Sequence, residues 1–327
     1  MASFRQHGNA WQGRIRRRGY PDITKTFETK ADAEKWARAL ESEIDKGQFA
    51  SINEAQRNTL GDLIARYLAE VTPTMKGATE DTIRLKAIMR KPIARWSMAN
   101  LSAVRIAAYR DERLKEVSAG TVIRELAYLS AIINHSRREW GINVSNPVQM
   151  VRKPQSPQAR SRVLTDDEAS KLLSALEPTG RRSNWTKPAV ELALATAMRR
   201  GELLSLRWEH IDLQGKTAFL PDTKNGDSRT VPLSSTAVQV LAELPRHISG
   251  VVIPVKYFTL EAAFKRGVRR SGLDGVRFHD LRRTAITRMA EKLPNVIELA
   301  AVSGHKSLMV LKRYYRPTAA MLALKLG

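Results

Sequence analysis

The stretch Lys153-Pro154-Gln155-Ser156-Pro157-Gln158-Ala159-Arg160-Ser161-Arg162 is polar and basic, contains two prolines and has no apolar period. Proline lacks an amide proton and fixes φ, so neither helix nor strand propagates through such a segment. With 327 residues the chain also exceeds the usual size of a single core. A domain boundary is therefore predicted here, with a final domain over 163–327.

The part before the linker divides again. The first twenty residues hold Arg5, Arg14, Arg16, Arg17 and Arg18 without an acid, interleaved with Phe4, Trp11 and Tyr20. Gly8-Asn9, Gly19 and Pro21-Asp22 are turn signals between short strands, and Thr24–Phe27 reads as a third strand. A helix follows from about Ala31 to Lys46, with Thr29 and Asp32 in capping-box spacing and Ala33, Trp36, Ala37, Leu40 and Ile44 on one face. Residues 1–57 are thus expected to form a three-stranded sheet backed by one helix, set off by Gly47–Arg57. From 58 to 152 the pattern is helical throughout. Thr59 with Asp62 opens a helix carrying Leu63, Ile64, Tyr67, Leu68 and Val71, the period continues through Val104–Leu114 and Val122–Trp140, and Asn146-Pro147 ends it. Thr165 with Glu168 caps the first helix of the last domain. The fold class expected is α+β, mainly α: a small N-terminal sheet with a helix, an all-helical domain, and a mainly helical domain with a small antiparallel sheet.

Charge narrows the partners. Fifty-five Lys and Arg against 33 Asp and Glu leave a net +22, a field that draws polyanions, so nucleic acid is the first partner to consider. The absence of cysteine excludes disulfides, zinc thiolates and thiol catalysis, and fits a reducing cytoplasm. Six scattered histidines form no His-x-x-x-His pair, so no metal site is expected. No apolar run approaches the ~18 residues of a membrane span, and a soluble protein of the bacterial cytoplasm or nucleoid is expected. Arg14, Arg16, Arg17 and Arg18 beside Trp11 read equally well as a solvated edge or as a DNA contact.

Four short strings in the last domain carry the chemistry. Thr196-Ala197-Met198-Arg199-Arg200-Gly201-Glu202 is expected within one helix, Glu191–Leu206, where an Arg-Arg pair is ordinarily a solvated face. Ile211–Leu213, Lys216–Leu220 and Thr223–Leu233 alternate around Asn225-Gly226 as a hairpin, with Lys224 at its turn. Phe278-His279-Asp280-Leu281-Arg282-Arg283-Thr284 puts an imidazole and a guanidinium three residues apart, on one face of a helix, as two donors aimed at one phosphate require. Val302-Ser303-Gly304-His305 precedes Arg313-Tyr314-Tyr315-Arg316.

In this order and spacing the strings resemble the tyrosine recombinases of the phage integrase family. That family writes Thr-Gly-x-Arg in its first box, so Arg199 matches and Ala197 stands where glycine is usual. It carries a hairpin lysine (Lys224), a His-x-x-Arg box (His279, Arg282), and Leu-Gly-His followed nine residues later by a tyrosine, which makes His305 and Tyr314 the matching pair. Ser303 replaces the leucine, a change that reads as packing more than chemistry.

The resemblance implies a site-specific recombinase that integrates or excises a mobile element or prophage. Tyr314 would be the nucleophile, forming a 3′-phosphotyrosine. Arg199 and Arg282 would neutralise the phosphate, His279 and His305 would add donors, and Lys224 would protonate the departing 5′ oxygen. Neither metal nor cofactor is implied. Partners would be double-stranded DNA at core and arm attachment sites, four protomers at synapsis and accessory DNA-bending proteins. Residues 1–57 would be the arm-binding domain, 58–152 the core-binding domain and 163–327 the catalytic domain. The tail Ala319–Leu326 suits docking on a neighbour and packing on its own domain equally. Two rivals remain: a recombinase relative kept only for DNA binding, which predicts a damaged catalytic set, and a metal-dependent nuclease, which needs clustered carboxylates that Asp222 and Asp227 supply poorly.

Overall fold

Strand alternation at the N-terminus resolves into β1 (Ala2–His7), β2 (Ala10–Ile15) and β3 (Ile23–Phe27), antiparallel in the order β1-β2-β3. The structure, a computed structural model, describes residues 2–17, 20, 22–45, 52–142, 144–158, 160–180, 183–222, 228–293, 295–314, 323–324 and 326. Register sets Phe4, Gly13 and Lys25 side by side, so Ala2, Phe4, Trp11, Gly13 and Ile15 share one face. Helix α1 (Lys30–Asp45) packs there through Ala33, Trp36, Ala37, Leu40 and Ile44. Gly13 permits this close approach, since a Cβ on it would stand 3.1 Å from the Trp36 ring. Thr29 accepts the Asp32 amide at 3.2 Å and opens α1.

A second cluster is purely helical: α2 (Ile52–Arg57), α3 (Leu60–Glu70), α4 (Ala78–Met89), α5 (Ala103–Glu116) and α6 (Ala119–Glu139). Leu60, Leu63, Ile64, Leu85, Ile88, Ile106, Leu126, Leu129, Ile132 and Ile133 are its buried centre, and each such side chain contributes ~1.5–3 kcal/mol of burial. The Thr59–Asp62 capping box is present in both directions. Helix α4 falls in the stretch expected to be helical, but its bounds are not readable from periodicity because it buries only Leu85 and Ile88, too thin an apolar stripe to set a period.

The chain separates into two compact units, 1–158 and 159–327. In the second, α7 (Asp166–Ala175) follows a reciprocal Thr165–Glu168 box, and α8 (Thr186–Thr196), α9 (Arg200–Ser205), α10 (Ser235–Glu243), α11 (Tyr257–Arg270) and α12 (Phe278–Lys292) surround Leu203, Ile253, Leu260, Phe264 and Leu281. Strands β4 (Ile211–Asp212), β5 (Thr217–Leu220) and β6 (Arg229–Pro232) form a small antiparallel sheet. Helices α13 (Val296–Ser303) and α14 (Leu308–Leu311) close the unit over a separate cluster of Ala197, Ala285, Ile286, Ala290, Leu299 and Leu311. Among the described residues no helix is long and apolar enough to cross a membrane.

One expectation is corrected. Glu191–Leu206 is not one helix: α8 stops at Thr196, Ala197 takes the left-handed conformation (φ 54°, ψ 20°), Arg199 is extended, and α9 begins at Arg200. The Met198 amide donates to Thr196 Oγ at 3.3 Å, and the Glu202 carboxylate accepts the Arg199 amide at 2.8 Å. These side-chain bonds take groups that helix continuation would use, an outcome apolar periodicity cannot register.

Candidate active site

The break at Ala197 determines where Arg199 points. Because its backbone is extended and its amide is held by Glu202, the guanidinium donates to Glu202 Oε1 (2.6 Å) and to the main-chain oxygen of Gly304 (3.3 Å). Arg282, one turn into α12, is 4% exposed and donates to the oxygens of Ala197 and Ser303, the latter at 2.6 Å. Arg229, on β6, donates to Val302 O at 2.5 Å and to Glu202 Oε2 at 2.8 Å. Three guanidiniums therefore converge on three successive carbonyls, Val302, Ser303 and Gly304, at the C-terminal end of α13. Helix ends leave these oxygens without intrahelical partners and carry the negative end of the dipole, so cations are their natural neighbours.

The same helix end presents His305. Gly304 closes α13 in the left-handed conformation (φ 67°), and a Cβ there would meet Arg229 Nε at 2.7 Å, so glycine is required both by backbone and by space. The Ser303 hydroxyl, fully buried, lies 2.8 Å from His305 Nδ1. The expectation that Ser303 concerns packing more than chemistry is thus incomplete, since its hydroxyl touches the imidazole itself. Tyr314 sits on the turn after α14, its ring centroid 6.0 Å from that of His305 and 5.4 Å from the Arg283 guanidinium carbon. Its ring packs on the Ala197–Leu311 cluster. His279, on the first turn of α12, belongs to the same group through its field: desolvation first, and then Arg282 and Arg283, lower its basicity.

The electrostatics follow from packing cations together. Burial, then Arg199, lowers Arg282 to about 10, which still leaves it charged at neutral pH. Burial, then Arg282, Arg199, Arg229 and His279, lower His305 to about 4, so the imidazole is neutral in the free protein. Burial pushes the Glu202 carboxyl up, but the Arg199 amide and the Arg229 and Arg199 guanidiniums outweigh it and hold the group below its usual range. Glu202 is the ionised counter-charge that lets Arg199 and Arg229 stand close together. What remains is an excess of positive charge with unused N–H donors, suited to an oxyanion.

Sequence reading placed Arg199, His279, Arg282, His305 and Tyr314 in one group, and their elements meet in this unit. Lys224 and Tyr315 lie outside the described residues. Glu202 and Arg229 were missed as members, although each stands inside a quoted string; their only signal was position, a carboxylate three residues after Arg199 and an arginine just past the hairpin turn. Among the described residues no group of three His, Asp or Glu is arranged to hold a metal ion.

Residues 162–321 match the phage integrase family, and residues 56–154 match the phage integrase N-terminal domain. A shufflon-specific DNA recombinase of Escherichia coli is 40% identical over 83% of this chain and 72% of its own. A Haemophilus influenzae protein bearing the name integrase/recombinase is 37% identical over 98% of this chain and 88% of its own. The chain belongs to the phage integrase family of tyrosine recombinases. Enzymes of that family cleave and rejoin DNA, and this tyrosine recombinase is a site-specific DNA recombinase. Its fold is also that of lambda integrase, solved as a tetramer bound to a Holliday junction, with a TM-score of 0.67, 23% identity and coverage of 94% of this chain and 93% of the other.

In this recombinase the N-terminal arginines are less free than their run suggests. Arg14 and Arg16 both bond Asp22, at 2.6 and 2.8 Å, and Arg17 bonds Asp45. Asp22 is lowered by Arg16 first and then Arg14. Register puts Arg5 and Arg14 with Gln12 on the face away from α1, whereas Trp11 stands on the α1 side under Lys30. Arg18 lies outside the described residues.

Proposed function

We propose that Tyr314 attacks a phosphodiester held by Arg199 and Arg282, leaving a 3′-phosphotyrosine that a 5′-hydroxyl of a partner duplex later reverses. The observation that carries this reading is the convergence of Arg199, Arg229 and Arg282 on the end of α13, next to His305, whose ring centroid is 6.0 Å from that of Tyr314. A phosphodiester resists attack because its oxygens are anionic, and charge fixed on guanidiniums in a partly dry site offsets the charge that grows in the transition state. Each guanidinium spends part of its N–H set on carbonyls and Glu202, which orients the rest toward a phosphate. His279 and His305 complete the set, and Lys224 supplies the proton that the departing 5′ oxygen takes up. Rejoining needs no cofactor, since the phosphotyrosine keeps the energy of the broken bond.

Double-stranded DNA is the substrate, bound at core sites by 58–152 together with 163–327, and at arm sites by 1–57. The net +22 supports this, as does the polar outer face of β1–β3 with Arg5 and Arg14. Four protomers at synapsis follow from the need to cut both strands of two duplexes, and the lambda integrase tetramer on a Holliday junction is the parallel. The product is integration or excision of a mobile element, with accessory DNA-bending proteins as further partners. Leu324 and Leu326 are exposed, which suits a tail that docks on a neighbour.

The test is covalent trapping: the full chain is incubated with nicked duplexes carrying candidate sites, in EDTA, and run on a denaturing gel. A protein–DNA adduct that survives chelation is the expected result. Cleavage without an adduct, or cleavage abolished by EDTA, overturns the tyrosine mechanism.

A further inference from the structure

We propose that Ser303 is a positioning residue, which holds neutral His305 in the Nδ1–H tautomer and so leaves Nε2 as a lone-pair acceptor in the active site. The inference rests on the recombinase reading only for its catalytic consequence; the proton on Nδ1 follows from geometry alone.

The Ser303 hydroxyl has one proton and two close partners, Leu299 O at 2.6 Å and His305 Nδ1 at 2.8 Å. A carbonyl oxygen can only accept. Were the proton directed at Nδ1, two oxygens would face each other at 2.6 Å with no hydrogen between them, a repulsive contact in a residue with no exposure. The proton therefore belongs to Leu299 O, and Oγ accepts from Nδ1–H. In a neutral ring the second nitrogen then has no proton. The two ring nitrogens point in opposite senses, so Nε2 is the edge turned away from Ser303.

The ring is neutral in the free protein, because burial and then Arg282, Arg199 and Arg229 depress its basicity. A bound phosphate neutralises those same arginines, and the basicity of Nε2 recovers when substrate is present. In the reacting complex the Tyr314 Oη–H bond breaks and its proton passes to Nε2 as the Oη–P bond forms. The P–O5′ bond breaks, and the 5′ oxygen takes its proton from Lys224. Atoms and charge balance: His305 ends as imidazolium, Lys224 as the neutral amine, and rejoining runs both transfers backwards. His305 thus works as an acceptor beside the tyrosine, whereas the family resemblance alone casts it as a further donor to the phosphate. A leucine at 303, usual in the family, has no hydroxyl and cannot make this choice, which marks the device as a feature of chains with serine here.

Nitrogen-15 spectra of the histidine rings read the tautomer directly in the DNA-free full chain at neutral pH, with His305→Asn identifying the signal. Nδ1–H is expected in the parent and in Ser303→Thr, which keeps the hydroxyl. In Ser303→Ala the population should move about tenfold toward Nε2–H, the size of shift one hydrogen bond supports. An Nε2–H ring in the parent, or no change in Ser303→Ala, overturns the assignment whether or not the chain recombines DNA. For the catalytic consequence, single-turnover adduct formation should fall about tenfold in Ser303→Ala, recover in Ser303→Thr, and show no further loss when Ser303→Ala is added to His305→Asn. Equal losses in both backgrounds would make Ser303 a packing residue only. If no adduct forms even in the parent, the recombinase reading has failed and the tautomer result stands by itself.

Discussion

Arg282 Nη2 donates to the main-chain oxygen of Ser303 at 2.6 Å, while its Nη1 donates to Ala197 O, so one buried guanidinium joins the broken end of α8 to the end of α13. The residue expected to hold substrate is also a strut of the site. Arg282→Lys keeps a charge but cannot reach two carbonyls in a planar fork, leaving one buried oxygen without a partner. We expect it to cleave far more slowly and to lose ~1–3 kcal/mol of stability, read by adduct formation and by thermal unfolding. Cleavage and melting both unchanged would show that neither role exists.

Adjacent phenols separate nucleophile from neighbour. Tyr314→Phe should bind its site with unchanged affinity and form no adduct, whereas Tyr315→Phe should still form one at a modestly lowered rate. The opposite outcome would move the nucleophile to Tyr315, and adducts from both variants would remove tyrosine catalysis from this segment.

Ala197 combines a left-handed backbone with full burial, and the two terms oppose each other on substitution by glycine. Relief of the left-handed strain returns ~1 kcal/mol, and loss of a buried methyl costs ~0.8 kcal/mol. Ala197→Gly should therefore melt within a few degrees of the parent and cleave normally. Ala197→Val, β-branched at the same φ in a site without room, should lose ~2 kcal/mol or more. Thermal melts of the pair decide this, and a tolerated valine would mean that the α8–α9 break is not held in this conformation.

Gly304→Ala meets both a positive φ and the Arg229 guanidinium. The backbone cost alone is ~1–2 kcal/mol, and shifting Arg229 takes a cation from Glu202 and Val302 O. Cleavage should fall more steeply than DNA affinity, measured by adduct yield against gel shift. Parallel losses would indicate general unfolding instead.

The depressed basicity of His305 links stability to pH. An unfolded histidine titrates near ~6.5 and the folded one near 4, so on acidification the unfolded chain takes up this proton first. This contribution is intact above ~6.5 and is lost as pH falls toward 4, amounting to ~2–3 kcal/mol. His305→Asn should lose less stability than the parent between pH 7 and 4.5 in denaturant titrations, and equal losses would show that this ring does not titrate as described.

The residues of the candidate site were legible in the sequence through the strings that resemble the family's motifs. Arg199, His279, Arg282, His305 and Tyr314 stand at intervals that chain geometry must respect, and the capping boxes at Thr59 and Thr165 mark helix starts by interactions only three residues long. Long-range packing was not legible. That Glu202 would neutralise Arg229 as well as its near neighbour Arg199, and that Arg229 would reach Val302 O, are contacts between different elements, decided only once α13, β6 and α9 are packed together; that Asp22 would pair with Arg14 is decided by the pairing of β2 with β3. Nor did periodicity disclose the break at Ala197, because a single residue turned to φ 54° leaves the apolar pattern intact while redirecting everything after it. Residue identities set the inventory of charges and donors, whereas packing set their orientation, since burial and shared hydrogen bonds fix which atoms of Arg199, Arg229 and Arg282 are spent on carbonyls and Glu202.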